Sequence, residues 1–273
     1  MAEDEGTPPT DLFSVRGKTA VVTGGSRGIG FMIATELLRA GVTRVYICAR
    51  RAEACDAAAA QLSRLGECVS VPCDVGSTEG VETLAGAVEA REDRLHILVN
   101  NAGTAWGAPV DTHPAEQFDR VMQVNVRAVF QLTQRLLPLL RAAASAEDPA
   151  RVVNIGSVDG LTIPFWPNYG YSASKAAVHM LTRHLAHALV GDHVNVNAIA
   201  PGLFPSRMTR LVFEGPEPEA TIEAIPMRRA GTAEDVGGTV IYLSSRAGAY
   251  LTGVVIPVAG GIATIDSVHS LAP

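Results

Sequence analysis

A chain of 273 residues, 47% hydrophobic and only 18% charged, can bury a substantial core and is too apolar for a disordered chain. Its net charge of −6 argues against nucleic acid or an anionic membrane as partner. Four cysteines without a CxxC pair and seven histidines without HxxxH or HExxH spacing argue against a metal centre and for reduced thiols.

The N-terminal stretch MAEDEGTPPT is acidic and Pro-rich with no apolar signal core, so residues 1–14 are expected to be a flexible tail. No apolar run approaches the roughly 18 residues of a spanning helix, and a cytoplasmic protein is expected. TAVVTG (19–24) reads as the first strand, followed by a helix to about Ala40. VYICA (45–49), CVSVPCD (68–74) and LHILVNNAG (95–103) are the next three strands, each preceded by a helical stretch. Two helices near 115–124 and 126–144 lead to RVVNIGS (151–157), a fifth strand. A long helix then precedes HVNVNAIAPG (193–202). Residues 203–231 read as irregular, and a helix at 232–245 leads to the last strand, GVVIPVAGG. Apolar strands alternating with helices predict one doubly wound α/β domain over 15–262, a Rossmann-type seven-stranded parallel sheet covered on both faces, with a short tail at 263–273.

In such a sheet the first strand–turn–helix is where a phosphate binds, and here it reads TGGSRGIG (23–30). Gly24 permits a tight turn, and Gly28 and Gly30 let the helix N-terminus approach a pyrophosphate. A rival reading takes GGSRG as a GxSxG elbow with Ser26 as a hydrolase nucleophile. That elbow normally follows several strands, and this one follows the first. Further on, YSASK places Tyr171 and Lys175 one helical turn apart. Taken alone, the pair could be a surface Tyr along a Lys stem.

TGGSRGIG, NNAG (100–103), Asn125, Ser157, YSASK and the Pro201–Gly202 pair occur together and in this order. In this the chain resembles the short-chain dehydrogenase/reductase family, over about residues 15–262. Within the family it is most similar to NADPH-dependent 3-oxoacyl-acyl-carrier-protein reductases, including the rhamnolipid-biosynthesis type. GTAWG (103–107), ALVGDHVNVNAIAPG (188–202) and FPSRMTR (204–210) carry that nearer similarity.

The resemblance implies a catalytic tetrad of Asn125, Ser157, Tyr171 and Lys175. Tyr171 would give the proton that a reduced ketone needs, with Lys175 lowering its pKa and holding the nicotinamide ribose. Ser157 would hydrogen-bond the substrate carbonyl, and Asn125 would hold a water that passes protons to Lys175. Without that context, Asn125 could be a helix cap and Ser157 a loop residue. The implied cofactor site comprises Gly24, Ser26, Arg27, Gly28, Ile29, Gly30, Asp74, Val75, Asn101, Ala102, Gly103, Tyr171, Lys175, Pro201 and Gly202. Asp74 would bond the adenine, and Asn101–Gly103 would line the adenosine side.

Cofactor choice is read after the second strand. An acid there would accept from the ribose of NAD, but the sequence is CARR (48–51), with Cys48 in its place and Arg50 and Arg51 following. With Arg27 these cations suit NADP(H), although Arg50 and Arg51 could simply open a solvated helix. The segment 203–231 is expected to be a substrate lid. Phe204, Met208, Leu211 and Phe213 make it apolar, and Trp106, Phe165 and Trp166 could add to the wall. The expected activity is reduction of a hydrophobic 3-oxoacyl thioester or related β-keto compound. An acyl carrier protein is a possible partner, and the family implies a homotetramer. The alternatives are an oxidising alcohol, polyol or steroid dehydrogenase, and a non-catalytic dinucleotide sensor. Ala259, where the family often has an acid before the terminal glycines, is a departure.

Overall fold

Thr19–Thr23 forms β1, and all five of its residues are buried. A strand with no polar face belongs inside a sheet that helices cover on both sides. The computed structural model describes residues 12–164, 166–215 and 218–264 and supplies that setting. The expected tails at 1–14 and 263–273 lie largely outside the described residues.

After β1 come α1 (Gly28–Arg39), β2 (Arg44–Ala49), α2 (Ala52–Leu62), β3 (Glu67–Pro72), α3 (Thr78–Glu89) and β4 (Ile97–Asn100). The second half holds α4 (Ala115–Met122), α5 (Ala128–Ala143), β5 (Ala150–Ile155), α6 (Tyr169–Leu189) and β6 (Val194–Pro201). Two short helices, α7 (Arg210–Phe213) and α8 (Pro218–Glu223), precede α9 (Ala233–Ser244) and β7 (Val255–Val258). Every strand pairing is parallel, in the order β3-β2-β1-β4-β5-β6-β7. This is the Rossmann-type sheet that the alternation of elements predicts.

Strand alternation divides the core in two. Ala20 and Val22 pack with Ile33, Leu37, Ala58, Val236 and Val240 of α1, α2 and α9. Val21, between them, packs on the other face with Leu84, Leu132, Leu136 and Leu189 of α3, α5 and α6. Each such Val or Leu contributes about 1.5–3 kcal/mol by leaving water. The chain leaves β1 toward β2 and β3 and then returns to β4 on its other side. This reversal opens a crevice at the carboxyl ends of β1 and β4, where doubly wound sheets bind ligands.

A buried polar network fixes the elements around that crevice. Asn100 Nδ2 donates to Thr133 Oγ1 at 3.1 Å and to Asn154 Oδ1 at 2.9 Å, and Asn154 Nδ2 donates to Thr182 Oγ1 at 2.9 Å. It ties β4, β5, α5 and α6 together. Breaking any member would leave a buried polar group unpaired, at about 1–3 kcal/mol.

Three local features differ from the expectations. The helices near 115–124 and 126–144 are joined by a π turn, Gln123–Arg127, instead of being separated. The segment 203–231 carries α7 and α8 where irregular chain is expected. Phe204, expected to face the substrate, is 2% exposed and belongs to the core beside Ile33 and Val236. Its ring fills the space beside Gly231, so it anchors this segment, the expected lid. Phe204→Ala should therefore cost about 3–5 kcal/mol in a denaturant titration. A loss below about 1 kcal/mol would mean that the lid is anchored elsewhere.

Candidate active site

The turn after β1 is built for a close approach. Gly24 and Gly28 have φ of +67° and +55°, which L side chains rarely adopt. A Cβ at Gly30 would overlap the Asn101 amide and lie 2.5 Å from the Gly24 carbonyl oxygen. Asn101 Nδ2 donates to the Thr23 carbonyl at 2.8 Å, and Thr23 Oγ1 accepts from the backbone N–H of Asn101 and of Ala102 at 2.9 Å each. The ends of β1 and β4 are thus locked together. The N-terminus of α1 receives no side-chain cap, leaving first-turn N–H groups and the positive end of the helix dipole for an anion. Ile29 lies in that first turn. Ser26 has no hydrogen bond to a histidine among the described residues, so the hydrolase reading lacks a general base.

Arg27, at the entrance to α1, is held below its ordinary pKa, first by burial and then by the positive charges of Arg207, Arg51 and Arg50. None of the four is in an ion pair among the described residues. The nearby Cys48 is buried, and its interaction with the Cys73 thiol raises the Cys48 thiol and lowers that of Cys73. Both remain free thiols. Asp74 Oδ1 accepts from the Gly76 N–H at 3.0 Å, and Val75 beside it is buried. A cradle without Cβ atoms and four guanidinium groups without a carboxylate fit a dinucleotide that carries an additional phosphate.

Across the crevice, Ser157 follows β5, and Tyr171 and Lys175 lie on α6. The Ser157 hydroxyl lies close enough to the Tyr171 phenol to favour its ionised form. The Lys175 ammonium lies 5.5 Å from the centroid of the Tyr171 ring and donates to the Ile155 carbonyl at 2.7 Å. Burial pushes the phenol up to about 12, opposed by the Ser157 hydroxyl. Burial brings Lys175 down to about 8, opposed by the Asp159 carboxylate. For the phenol, desolvation is the largest influence.

Asn125 sits in the π turn, 1% exposed. Such turns recur inside helices at functional sites. Its Oδ1 accepts from the Thr104 N–H at 2.9 Å, and its Nδ2 donates to the Thr104 carbonyl at 3.0 Å and to Ser174 Oγ at 2.9 Å. Ser174 Oγ in turn donates to the Tyr171 carbonyl at 2.7 Å. The amide is therefore engaged with the protein and braces the strand end against the Tyr171 helix. A Cβ on Gly103 would lie 3.4 Å from Asn125 Oδ1 and 3.7 Å from Lys175 Nζ, so Gly103 sits beside the tetrad and not only on the adenosine side. Pro201 ends β6, and the Gly202 N–H donates to the Val258 carbonyl at 3.0 Å. Ala259 packs directly against Gly202, away from the tetrad.

Sequence reasoning missed Ser174 and Arg207. The first is a small residue inside YSASK, and the second a cation inside an apparently apolar lid. Of the expected lid wall, Phe165 and the side chain of Leu211 lie outside the described residues. Trp106 and Met208 are exposed at 44% and 52%. No helix among the described residues is long and apolar enough to cross a membrane, and no group of three metal-ligating side chains occurs among them.

An anion-binding glycine turn at a sheet crossover, facing a Tyr–Lys pair and a Ser at the neighbouring strand ends, is the framework of a dinucleotide-dependent oxidoreductase. The chain belongs to the short-chain dehydrogenase family, whose model matches residues 18–217. It is 54% identical to the rhamnolipids biosynthesis 3-oxoacyl-acyl-carrier-protein reductase of Pseudomonas aeruginosa, over 91% of this chain and 97% of that one. A tropinone reductase homolog of Datura stramonium is 35% identical over 91% of this chain and 93% of its own. Among solved structures, the Pseudomonas aeruginosa RhlG/NADP active-site complex superposes with a TM-score of 0.90 at 53% identity, covering 93% of this chain and 99% of that one.

Proposed function

We propose that this protein is an NADPH-dependent reductase that converts a hydrophobic 3-oxoacyl thioester, or a related β-keto compound, to its secondary alcohol. The observation that carries the reading is the pairing of a half-buried Tyr171 and buried Ser157 and Lys175 with uncompensated guanidinium groups at the other end of the same crevice. The reductase and the NADP complex among its relatives support it. The catalytic and cofactor-binding roles given to individual residues are part of the proposal, as is a domain spanning 15–262.

Bound NADPH supplies the hydride to the carbonyl carbon. Ser157 orients the carbonyl oxygen through its hydroxyl. Tyr171 Oη then delivers its proton to the oxygen as negative charge develops there. Lys175 holds the nicotinamide ribose and, as an ammonium, favours loss of the Tyr171 proton. Asn125 keeps Ser174, and through it the Tyr171 backbone, in register. Gly24, Ser26, Gly28, Ile29 and Gly30 would cradle the pyrophosphate, and Arg27, Arg50 and Arg51 would meet the 2′-phosphate. Asp74 and Val75 would take the adenine, while Asn101, Ala102, Gly103, Pro201 and Gly202 would border the adenosine and nicotinamide.

The family resemblance implies a homotetramer, and exposed Phe130 and Met180 on α5 and α6 suit subunit packing. Four unbridged cysteines suit the cytoplasm. An acyl carrier protein is the natural donor of a thioester substrate.

The test is NADPH oxidation with 3-oxoacyl thioesters of increasing chain length, each supplied on acyl carrier protein and as a free analogue. Activity should rise with chain length, because each buried CH₂ is worth about 0.8 kcal/mol, or roughly fourfold. Met208→Ala should narrow the spread between short and long chains. Equal losses at every length would remove Met208 from the substrate wall. No oxidation of NADPH with any of these thioesters would sink the substrate assignment.

A further inference from the structure

Four arginines converge on one corner of the crevice, and only three of them belong to the rigid sheet and its turns. The fourth, Arg207, comes from the lid. Its neighbour Ser206 packs against the phosphate turn: a Cβ on Gly28 would lie 3.3 Å from Ser206 Cβ and 3.9 Å from its Cα. The local backbone is held by a tight polar turn. Thr209 Oγ1 donates to the Phe204 carbonyl at 2.6 Å and accepts from the Ser206 N–H at 3.0 Å, and Ser206 Oγ accepts from the Thr209 N–H at 3.2 Å. Arg207 is therefore presented from a turn braced by buried Phe204 on one side and by Gly28 on the other.

Like charges gathered without a carboxylate repel one another and cost stability. Among the charges that act on Arg27, Arg207 is the strongest, ahead of Arg51 and Arg50. A dianion placed among them would turn the repulsion into charge-assisted hydrogen bonds. The N-terminus of α1 already offers N–H groups to a pyrophosphate. Arg50 and Arg51, by contrast, follow β2, where the adenosine ribose of a dinucleotide lies. The corner that Arg207 shares with them is the corner of the ribose 2′-phosphate.

We infer that Arg207 is a cofactor-specificity residue that meets the 2′-phosphate together with Arg27, so that this phosphate clamps the lid to the sheet. The inference rests on the NADPH reading above. Its consequence is that the two cofactors differ in how firmly they hold the lid as well as in affinity. NADPH ties residues 203–215 to the glycine turn, and NADH does not.

The experiment uses the full-length protein and three nucleotide probes: 5′-AMP, 2′,5′-ADP (5′-AMP with a 2′-phosphate) and 5′-ADP (adenosine with a 5′-pyrophosphate). Affinities are measured by calorimetry for wild type, Arg207→Gln and Arg207→Lys, and amide hydrogen exchange is followed across 203–215. Arg207→Gln should bind 2′,5′-ADP roughly tenfold more weakly, the scale of one charge-assisted contact at an exposed position. Binding of 5′-AMP and 5′-ADP should stay within about twofold. Arg207→Lys should recover part of the loss, since it keeps the charge but not the fork. In wild type, 2′,5′-ADP should slow exchange in 203–215 more than 5′-AMP does, and Arg207→Gln should abolish that difference. If Arg207→Gln binds 2′,5′-ADP as wild type does, the inference fails. It fails equally if the loss falls on 5′-ADP, because Arg207 would then serve the pyrophosphate. Wild type that does not distinguish 2′,5′-ADP from 5′-AMP would overturn the NADPH reading itself. Wild type that distinguishes them alongside an unaffected Arg207→Gln would overturn only the role of Arg207.

Discussion

Tyr171→Phe should lower turnover by about 10²–10⁴-fold, the contribution of a positioned general acid, with NADPH affinity almost unchanged. The substitution removes one oxygen and keeps the ring, so the packing of α6 and the 5.5 Å approach of the Lys175 ammonium survive. Ser157 loses its phenol neighbour but still accepts from the Asp159 N–H at 3.1 Å. The fold should therefore be intact, and steady-state turnover alongside cofactor titration separates chemistry from binding. A variant retaining half its activity would refute the role of Tyr171. The pH profile adds a directional check. With the phenol near 12 and Lys175 near 8, both groups are protonated at pH 7. Ketone reduction needs the phenol, so its rate should be level up to about pH 7.5. It should then fall as Lys175 loses its proton above about 8. Alcohol oxidation needs the phenolate and should rise with pH over the same range. A reduction rate that climbs through pH 8 would place the acid elsewhere.

Much of this was legible in the sequence because the physics is local. β1 reads TAVVT, three apolar residues between two small threonines, which in a short element admits a strand buried on both faces. The glycine turn could be read because Gly28 and Gly30 answer steric demands that few other residues meet. The π turn at 123–127 could not be read this way. Its extra residue is held by bonds from Asn125 to Thr104 and Ser174, partners 21 and 49 positions away. Phe204 misled for a related reason: in a segment without periodicity, an apolar side chain does not reveal which way it faces. The direction of the Tyr171 pKa is less legible, because spacing along a helix shows the neighbouring ammonium but not the desolvation of the phenol. Arg207 lies 180 positions from Arg27, and only the tertiary fold brings them to one corner.

Cofactor choice should follow the same corner. Wild type is expected to favour NADPH over NADH by about 10²-fold in kcat/KM, since each guanidinium–phosphate contact contributes roughly 1.5–3 kcal/mol and a tenfold change needs 1.4. Arg27→Ala combined with Arg50→Ala should bring the ratio to within a few-fold of unity, chiefly by weakening NADPH. Their effects should not simply add, because each residue answers the same phosphate. Installing an acid at Cys48, the usual way of favouring NADH, should work poorly here. Cys48 is 2% exposed and its thiol lies against that of Cys73, so a carboxylate in its place would be desolvated. Removing cations is the cleaner route, and salt provides an independent check. Exposed charges are screened over about 10 Å at 0.1 M and about 3 Å at 1 M. The preference of wild type for NADPH should therefore shrink as salt rises, while the smaller preference left in the double variant, carried by Arg51 and Arg207, should shrink less. A wild-type enzyme that uses NADH as well as NADPH at low salt would reduce Arg50 and Arg51 to the solvated start of α2. A preference that survives both the double substitution and high salt would mean that neutral groups read the phosphate.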